Sequence, residues 1–174
     1  MLQVGSKAPE FTLEAVMPDG AFGNITLSDH RGRWVVLFFY PLDFTFVCPT
    51  EITGFSKRLA DFKALNAEIL GASTDSVNSH EAWIKNGLGH VTYPLLSDPT
   101  HGVSREYGVL LEDQGHTLRG TFIIDPEGIL RYHLVHSKAV GRSVEETLRV
   151  LLALQSGDLC PVEWKPGENT LGKA

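Results

Sequence analysis

The residues Trp34-Val35-Val36-Leu37-Phe38-Phe39-Tyr40 are apolar at odd and even positions alike. A strand covered on both faces reads this way, so the run predicts a central strand in a sheet with helices on each side. Beyond Cys48 the period changes. Ile52, Phe55, Leu59, Phe62 and Leu65 recur every three or four residues, with Lys57, Arg58, Asp61 and Lys63 between them, and predict one amphipathic helix. Pro49 fits only the first turn of such a helix, which therefore starts close to Cys48. Upstream, Phe11, Leu13 and Ala15 alternate toward the turn Pro18-Asp19-Gly20, and residues 24–28 read as a second short strand.

Downstream, residues 68–73 predict a strand, and Ser76 to Lys85 a helix ended by Asn86-Gly87. An extended segment over 93–98 and a short helix over 100–107 follow. Residues 121–124 and 129–135 flank Asp125-Pro126-Glu127-Gly128 as a hairpin. Ser143 and Glu146 make a capping box for a last helix closed by Gly157. The segment 161–174, rich in Gly, Pro and charge, is expected to be loosely held. This order implies an α/β fold with a parallel part and an antiparallel part.

Composition narrows the function classes. The chain has 174 residues, 43% hydrophobic and 21% charged, which suits one folded domain with a sizeable core. Its formal net charge of -6 speaks against a nucleic-acid surface, which needs clustered Lys and Arg. No basic segment followed by an apolar run marks a secretion leader, and no apolar run is long enough for a bilayer. The expectation is a cytoplasmic protein without membrane contact, in a compartment that keeps thiols reduced.

Cys48 is the first chemical candidate. A helix start offers unpaired N–H groups and the positive end of the helix dipole, and both favour a thiolate, the nucleophilic form of cysteine. Thr45 lies three residues earlier, where its hydroxyl could bond the sulfur or a substrate oxygen. The alternative is a small buried hydrophobe, a common fate of free cysteine. Arg119 and Arg142 are candidate cations for a thiolate, though each taken singly reads first as a solvated arginine. Cys160, in the loop after the last helix, is an accessible thiol that could condense with an oxidised Cys48. The seven histidines form no metal-ligand pattern, and neither a phosphate-binding glycine loop nor a Gly-x-Ser-x-Gly elbow is present.

The stretch Phe38-Phe39-Tyr40-Pro41-Leu42-Asp43-Phe44-Thr45-Phe46-Val47-Cys48-Pro49-Thr50-Glu51 resembles the active-site motif of the peroxiredoxins, and specifically of their typical two-cysteine group. Leu95-Leu96-Ser97-Asp98-Pro99, Arg119-Gly120-Thr121-Phe122-Ile123-Ile124-Asp125, Val140-Gly141-Arg142-Ser143 and Cys160-Pro161-Val162-Glu163-Trp164 extend the likeness over nearly the whole chain. The resemblance implies a thioredoxin-like fold, a central mixed sheet flanked by helices. It implies a peroxidase domain over 1–155 and a tail over 156–174 that carries a resolving cysteine. Cys48 would be the peroxidatic cysteine, Thr45 would bond the peroxide, Pro41 would shield the thiolate and Arg119 would polarise the O–O bond. Glu51 and Arg142 would support the site, and Cys160 of a partner chain would form an inter-subunit disulfide. Substrates would be hydrogen peroxide and organic hydroperoxides, with no metal, haem or flavin in the chain. The electron donor would be thioredoxin or a flavoprotein disulfide reductase. The assembly would be a homodimer, or a ring of five dimers. Two readings compete: a one-cysteine mechanism with Cys160 as a bystander, and a chaperone or redox-relay role. A thioredoxin-like oxidoreductase is disfavoured, because Cys48-Pro49-Thr50-Glu51 lacks the second cysteine of a CxxC pair.

Overall fold

The computed structural model describes residues 2–173. The chain divides into two compact units, one up to Arg142 and one from Ser143 on. The first unit is built on nine strands: β1 (Thr12–Val16), β2 (Phe22–Thr26), β3 (Trp34–Phe39), β4 (Ala67–Ser73), β5 (Leu95–Ser97), β6 (Leu110–Leu111), β7 (His116–Thr117), β8 (Arg119–Ile124) and β9 (Leu130–His136). Seven of them form one sheet in the order β2-β1-β5-β4-β3-β8-β9, and β6 and β7 form a separate small hairpin. The pairs β3–β4 and β4–β5 are parallel, whereas β3–β8, β8–β9, β1–β5 and β1–β2 are antiparallel. The mixed sheet is as the sequence implies, with β3 in its interior.

The unbroken apolar run of β3 follows from that position. Val35, Leu37 and Phe39 join a core with Phe11, Tyr107 and Phe122. Val36 and Phe38 alternate with them on the other face, and all five side chains are buried. There Phe38 stacks on Phe55 of helix α1 (Cys48–Lys57), with ring centroids 4.7 Å apart. Each such side chain contributes about 1.5–3 kcal/mol when fully removed from water.

The helix predicted from Cys48 to Leu65 is two helices, α1 and α2 (Leu59–Ala64). Arg58 between them leaves the helical region (φ -106°, ψ 9°). Its N–H turns back to Phe55 O and Ser56 O, closer than the fourth residue back of an α-helix, while its own carbonyl accepts from Asp61 and Phe62. A tightened last turn therefore ends one helix and opens the next, a change that the hydrophobic period does not register because Phe55 and Phe62 both stay buried. Helix α3 (Val77–Trp83) is capped by Ser76 Oγ, which accepts from Ser79 N, and α4 (Gly102–Glu106) is short.

Gly120, in β8 opposite Phe39 of β3, has no room for a side chain. A Cβ there would stand 2.6 Å from Val109 Cγ1 and 2.8 Å from Phe122 Cε2. Gly120→Ala is expected to lower stability by about 1–3 kcal/mol in urea unfolding, the usual cost of overpacking. An unchanged midpoint would mean that Val109 and Phe122 yield freely.

The second unit holds α5 (Val144–Ser156). Ser143 Oγ accepts from Glu146 N at 3.1 Å, the predicted cap. The Glu146 carboxylate does not return to Ser143; it pairs with Arg149. Gly157, at φ 64°, supplies the left-handed turn that closes α5. The following tail is not loose. Leu159 N bonds Gly172 O and Leu171 N bonds Leu159 O, both at 2.8 Å. Trp164 is buried and donates Nε1–H to Glu168 O.

Candidate active site

Cys48 opens α1, where the loop 41–47 leaves the end of β3. Val47 precedes it with helical backbone angles and no side-chain cap, so no side chain competes for the amide end of the helix. Pro49, in the first turn, gives up no N–H that the helix would use. The Cys48 side chain is fully buried from bulk solvent and lines a cavity of about 300 Å³, together with Pro41, Thr45 and Arg119.

Sheet register brings Arg119 to the sulfur across 71 positions of sequence. In the antiparallel β3–β8 pair Phe39 faces Gly120. Arg119, one residue earlier, therefore lies where the chain leaves β3 toward Cys48. Its Nη1 donates to Cys48 Sγ at 3.4 Å and to Glu51 Oε2 at 2.5 Å, and its Nε donates to Lys138 O at 2.9 Å. Glu51 stands three residues after Cys48 and so points along the same face of α1. Its Oε1 accepts from the Arg142 backbone N at 2.8 Å and from Arg142 Nε at 2.9 Å.

Arg142 is no solvated arginine. Its Nη1 donates to Gly120 O and its Nη2 to Phe39 O, both at 2.7 Å, and its guanidinium lies 4.9 Å from the Phe38 ring centroid. The side chains of Arg119, Glu51 and Arg142 are 3%, 2% and 2% exposed. Burial pushes the Arg142 guanidinium toward losing its proton, and the Glu51 carboxylate opposes that. Two guanidiniums and one carboxylate leave one positive charge in a buried place. An anionic sulfur, or an oxygen anion formed next to it, balances that charge.

Thr45 is half-buried and donates Oγ1–H to Leu42 O at 2.8 Å, not to Cys48. Its one proton is thereby committed, and Oγ1 is left as an acceptor facing whatever enters the cavity. Cys160 is half-buried in the second unit, with Sγ 3.7 Å from Ser156 Oγ; both cysteines are free thiols.

Sequence reasoning missed a buried polar cluster that holds the loop 41–47. Asp43 accepts from Tyr40 Oη at 2.9 Å and from Ser79 Oγ at 2.8 Å, and it pairs with His80 Nδ1 at 2.8 Å. Its backbone N–H goes to Asp75 Oδ2 at 2.9 Å. His80 Nε2 meets the Leu96 carbonyl at 3.1 Å. Burial, and then the nearby Asp43, raise the Asp75 carboxyl above its ordinary value. His80 stood in the sequence as one of seven unpatterned histidines, and only the fold pairs it with Asp43. Among the described residues no three His, Cys, Asp or Glu side chains converge as metal ligands. None of the described helices is long and apolar enough to cross a membrane.

Residues 4–133 match the AhpC/TSA family. The chain is 55% identical to a putative peroxiredoxin, YkuU, of Bacillus subtilis, over 97% of each chain. It is 53% identical to peroxiredoxin-1 of Gallus gallus, over 97% of this chain and 89% of that one. The fold superposes on the reduced 2-Cys peroxiredoxin of Plasmodium vivax with a TM-score of 0.95 at 43% identity, covering 98% of this chain and 93% of the other.

Proposed function

The chain belongs to the AhpC/TSA family and is a peroxiredoxin, a peroxidase; from that premise we propose that Cys48 is its peroxidatic thiol and Cys160 its resolving thiol. The contact of Arg119 Nη1 with Cys48 Sγ, inside the cavity that Pro41 and Thr45 line, is the observation that carries this reading.

A hydroperoxide ROOH enters with its O–H directed at Thr45 Oγ1, whose own proton is held by Leu42 O. The Cys48 thiolate attacks the terminal oxygen. An S–O bond forms, the O–O bond breaks, and sulfur gives up two electrons. RO⁻ leaves and takes a proton to become ROH, and Cys48 is left as a sulfenic acid. Arg119 stabilises the developing charge on the leaving oxygen, as a preorganised donor beside a sulfur buried from bulk solvent. Glu51 and Arg142 aim Arg119, and Pro41 walls the sulfur from water.

The Cys160 thiolate of a partner chain then attacks the sulfenic sulfur, forming the disulfide and releasing hydroxide, which is protonated to water. An external dithiol, thioredoxin or a flavoprotein disulfide reductase, returns both thiols. This scheme requires at least a homodimer, and a ring of five dimers is compatible with it. Its physiological setting is the cytoplasm. The tail 156–174 is the element that presents Cys160, and 1–155 is the peroxidase domain.

Resolution across chains has a simple readout. After one equivalent of hydrogen peroxide, the wild type is expected to run as a disulfide-linked dimer on a non-reducing gel, and Cys160→Ser as a monomer. A linked dimer that persists in Cys160→Ser would exclude this pairing. A wild type that turns over peroxide but never links would favour the one-cysteine mechanism.

A further inference from the structure

Two polar side chains of the Cys48 cavity have no part in the chemistry above. His116 lies in β7 and Lys138 in the loop after β9, and both line the cavity beside Arg119. No carboxylate lines it. Glu51, three residues after Cys48, is buried and committed to Arg119 and Arg142. Lys138 is exposed, and its Nζ bonds the neutral Gln114 Oε1 at 3.1 Å; among the described residues it meets no acidic partner. Glu112, on the same turn as Gln114, is held by Arg105. His116 is 9% exposed, with Nδ1 3.3 Å from the Thr117 carbonyl, so Nε2 is the ring nitrogen left for a ligand.

Part of the wall is apolar, made by Leu42, Phe46 and Val47. Phe46 is 95% exposed, an unusual position for a phenyl ring beside a reactive thiol. The cavity thus offers an apolar stretch of wall, a polar stretch with positive charge, and the sulfur of Cys48. Across a chain of net charge -6, the long-range field repels anions. Lys138, a cation with no acidic partner among the described residues, reverses that field over the last few ångströms.

Resting on the peroxidase reading, we propose that this cavity selects organic hydroperoxides that carry a carboxylate, with Lys138 holding the carboxylate, His116 beside it, and Phe46 covering the carbon chain. A hydroperoxide of this kind is anchored at its acid end while the O–O group reaches Cys48 and Arg119. Hydrogen peroxide is too small to use either stretch of wall. Lys138 is a specificity residue in this scheme, not a catalytic one.

The test compares kcat/KM for a hydroperoxy carboxylic acid and for its methyl ester, which differ only in charge at the acid end. The wild type is expected to prefer the acid by roughly 3–10-fold at low ionic strength, with the preference shrinking as salt is added. In Lys138→Gln the ratio of acid to ester falls toward one, and in Lys138→Glu the ester is preferred. A wild-type ratio at or below one, or a ratio that Lys138→Glu leaves unchanged, would overturn the proposal. Hydrogen peroxide serves as the control for the underlying reading. If the wild type consumes it while showing no acid preference, the substrate inference alone fails; if the wild type consumes no peroxide of any kind, the peroxidase reading fails with it.

Discussion

Cys48→Ser is expected to abolish peroxide consumption, with a fall on the order of 10⁴-fold or more, the scale on which removal of a covalent nucleophile acts. A serine hydroxyl fits the same space at the start of α1, so the fold should survive. What the proposed mechanism would lose is a polarisable sulfur nucleophile facing Arg119 Nη1 at 3.4 Å. A hydroxyl stays protonated there and cannot displace an oxygen from a peroxide bond. Peroxide consumption with a thioredoxin system, read beside thermal unfolding of the same variant, separates loss of chemistry from loss of fold. Residual turnover within tenfold of the wild type would place the oxidised group elsewhere.

The second large effect falls on Glu51. Its two oxygens accept four hydrogen bonds from Arg119 and Arg142, and its side chain is 2% exposed. Glu51→Ala would leave two guanidiniums buried without their counter-charge. Breaking a buried ion pair from one side costs about 3–5 kcal/mol, more than the pair itself is worth against an apolar substitute. The same change frees Arg119 from the bond that aims it at Cys48. Turnover should fall by about 10²–10³-fold, the scale of losing one preorganised donor to a transition-state charge. Urea unfolding and steady-state kinetics on Glu51→Ala read the two effects separately. A variant as stable and as fast as the wild type would mean that the arginines find other anions.

Much of this site is legible in the sequence because it is local. The doubly apolar run of β3, the proline that ends it and the amphipathic period after Cys48 place a thiol at a helix start behind a central strand. Glu51 enters through the family resemblance, and its place one helical turn after Cys48 agrees with the role. Arg119 and Arg142 are not local in this way. Taken from sequence, each resembles a solvated arginine, and only the β3–β8 register with Phe39 opposite Gly120 brings Arg119 to the sulfur. Arg142 reaches the site by bonding the Phe39 and Gly120 carbonyls, a contact between segments far apart in sequence.

The Asp43–His80 pair and the cavity lining by His116 and Lys138 are non-local in the same way, and no periodicity encodes them. The small β6–β7 hairpin has two residues per strand, too few for alternation to show. The break at Arg58 was hidden because the apolar spacing continues across it. The tail read as loose from its glycines and prolines. Its order comes from backbone pairing of Leu159 with residues 171 and 172, which composition does not report.

The central claim is that peroxide oxygen is transferred to Cys48 beside Arg119. Cys160→Ser, which has no resolving thiol, should be treated with one equivalent of hydrogen peroxide, trapped with a sulfenic-acid-specific reagent and mapped by mass spectrometry. The trapping reagent is expected on Cys48, stoichiometric with the peroxide consumed, and is expected to be lost when Arg119→Ala slows the reaction. Peroxide consumption with Cys48 unmodified would contradict it.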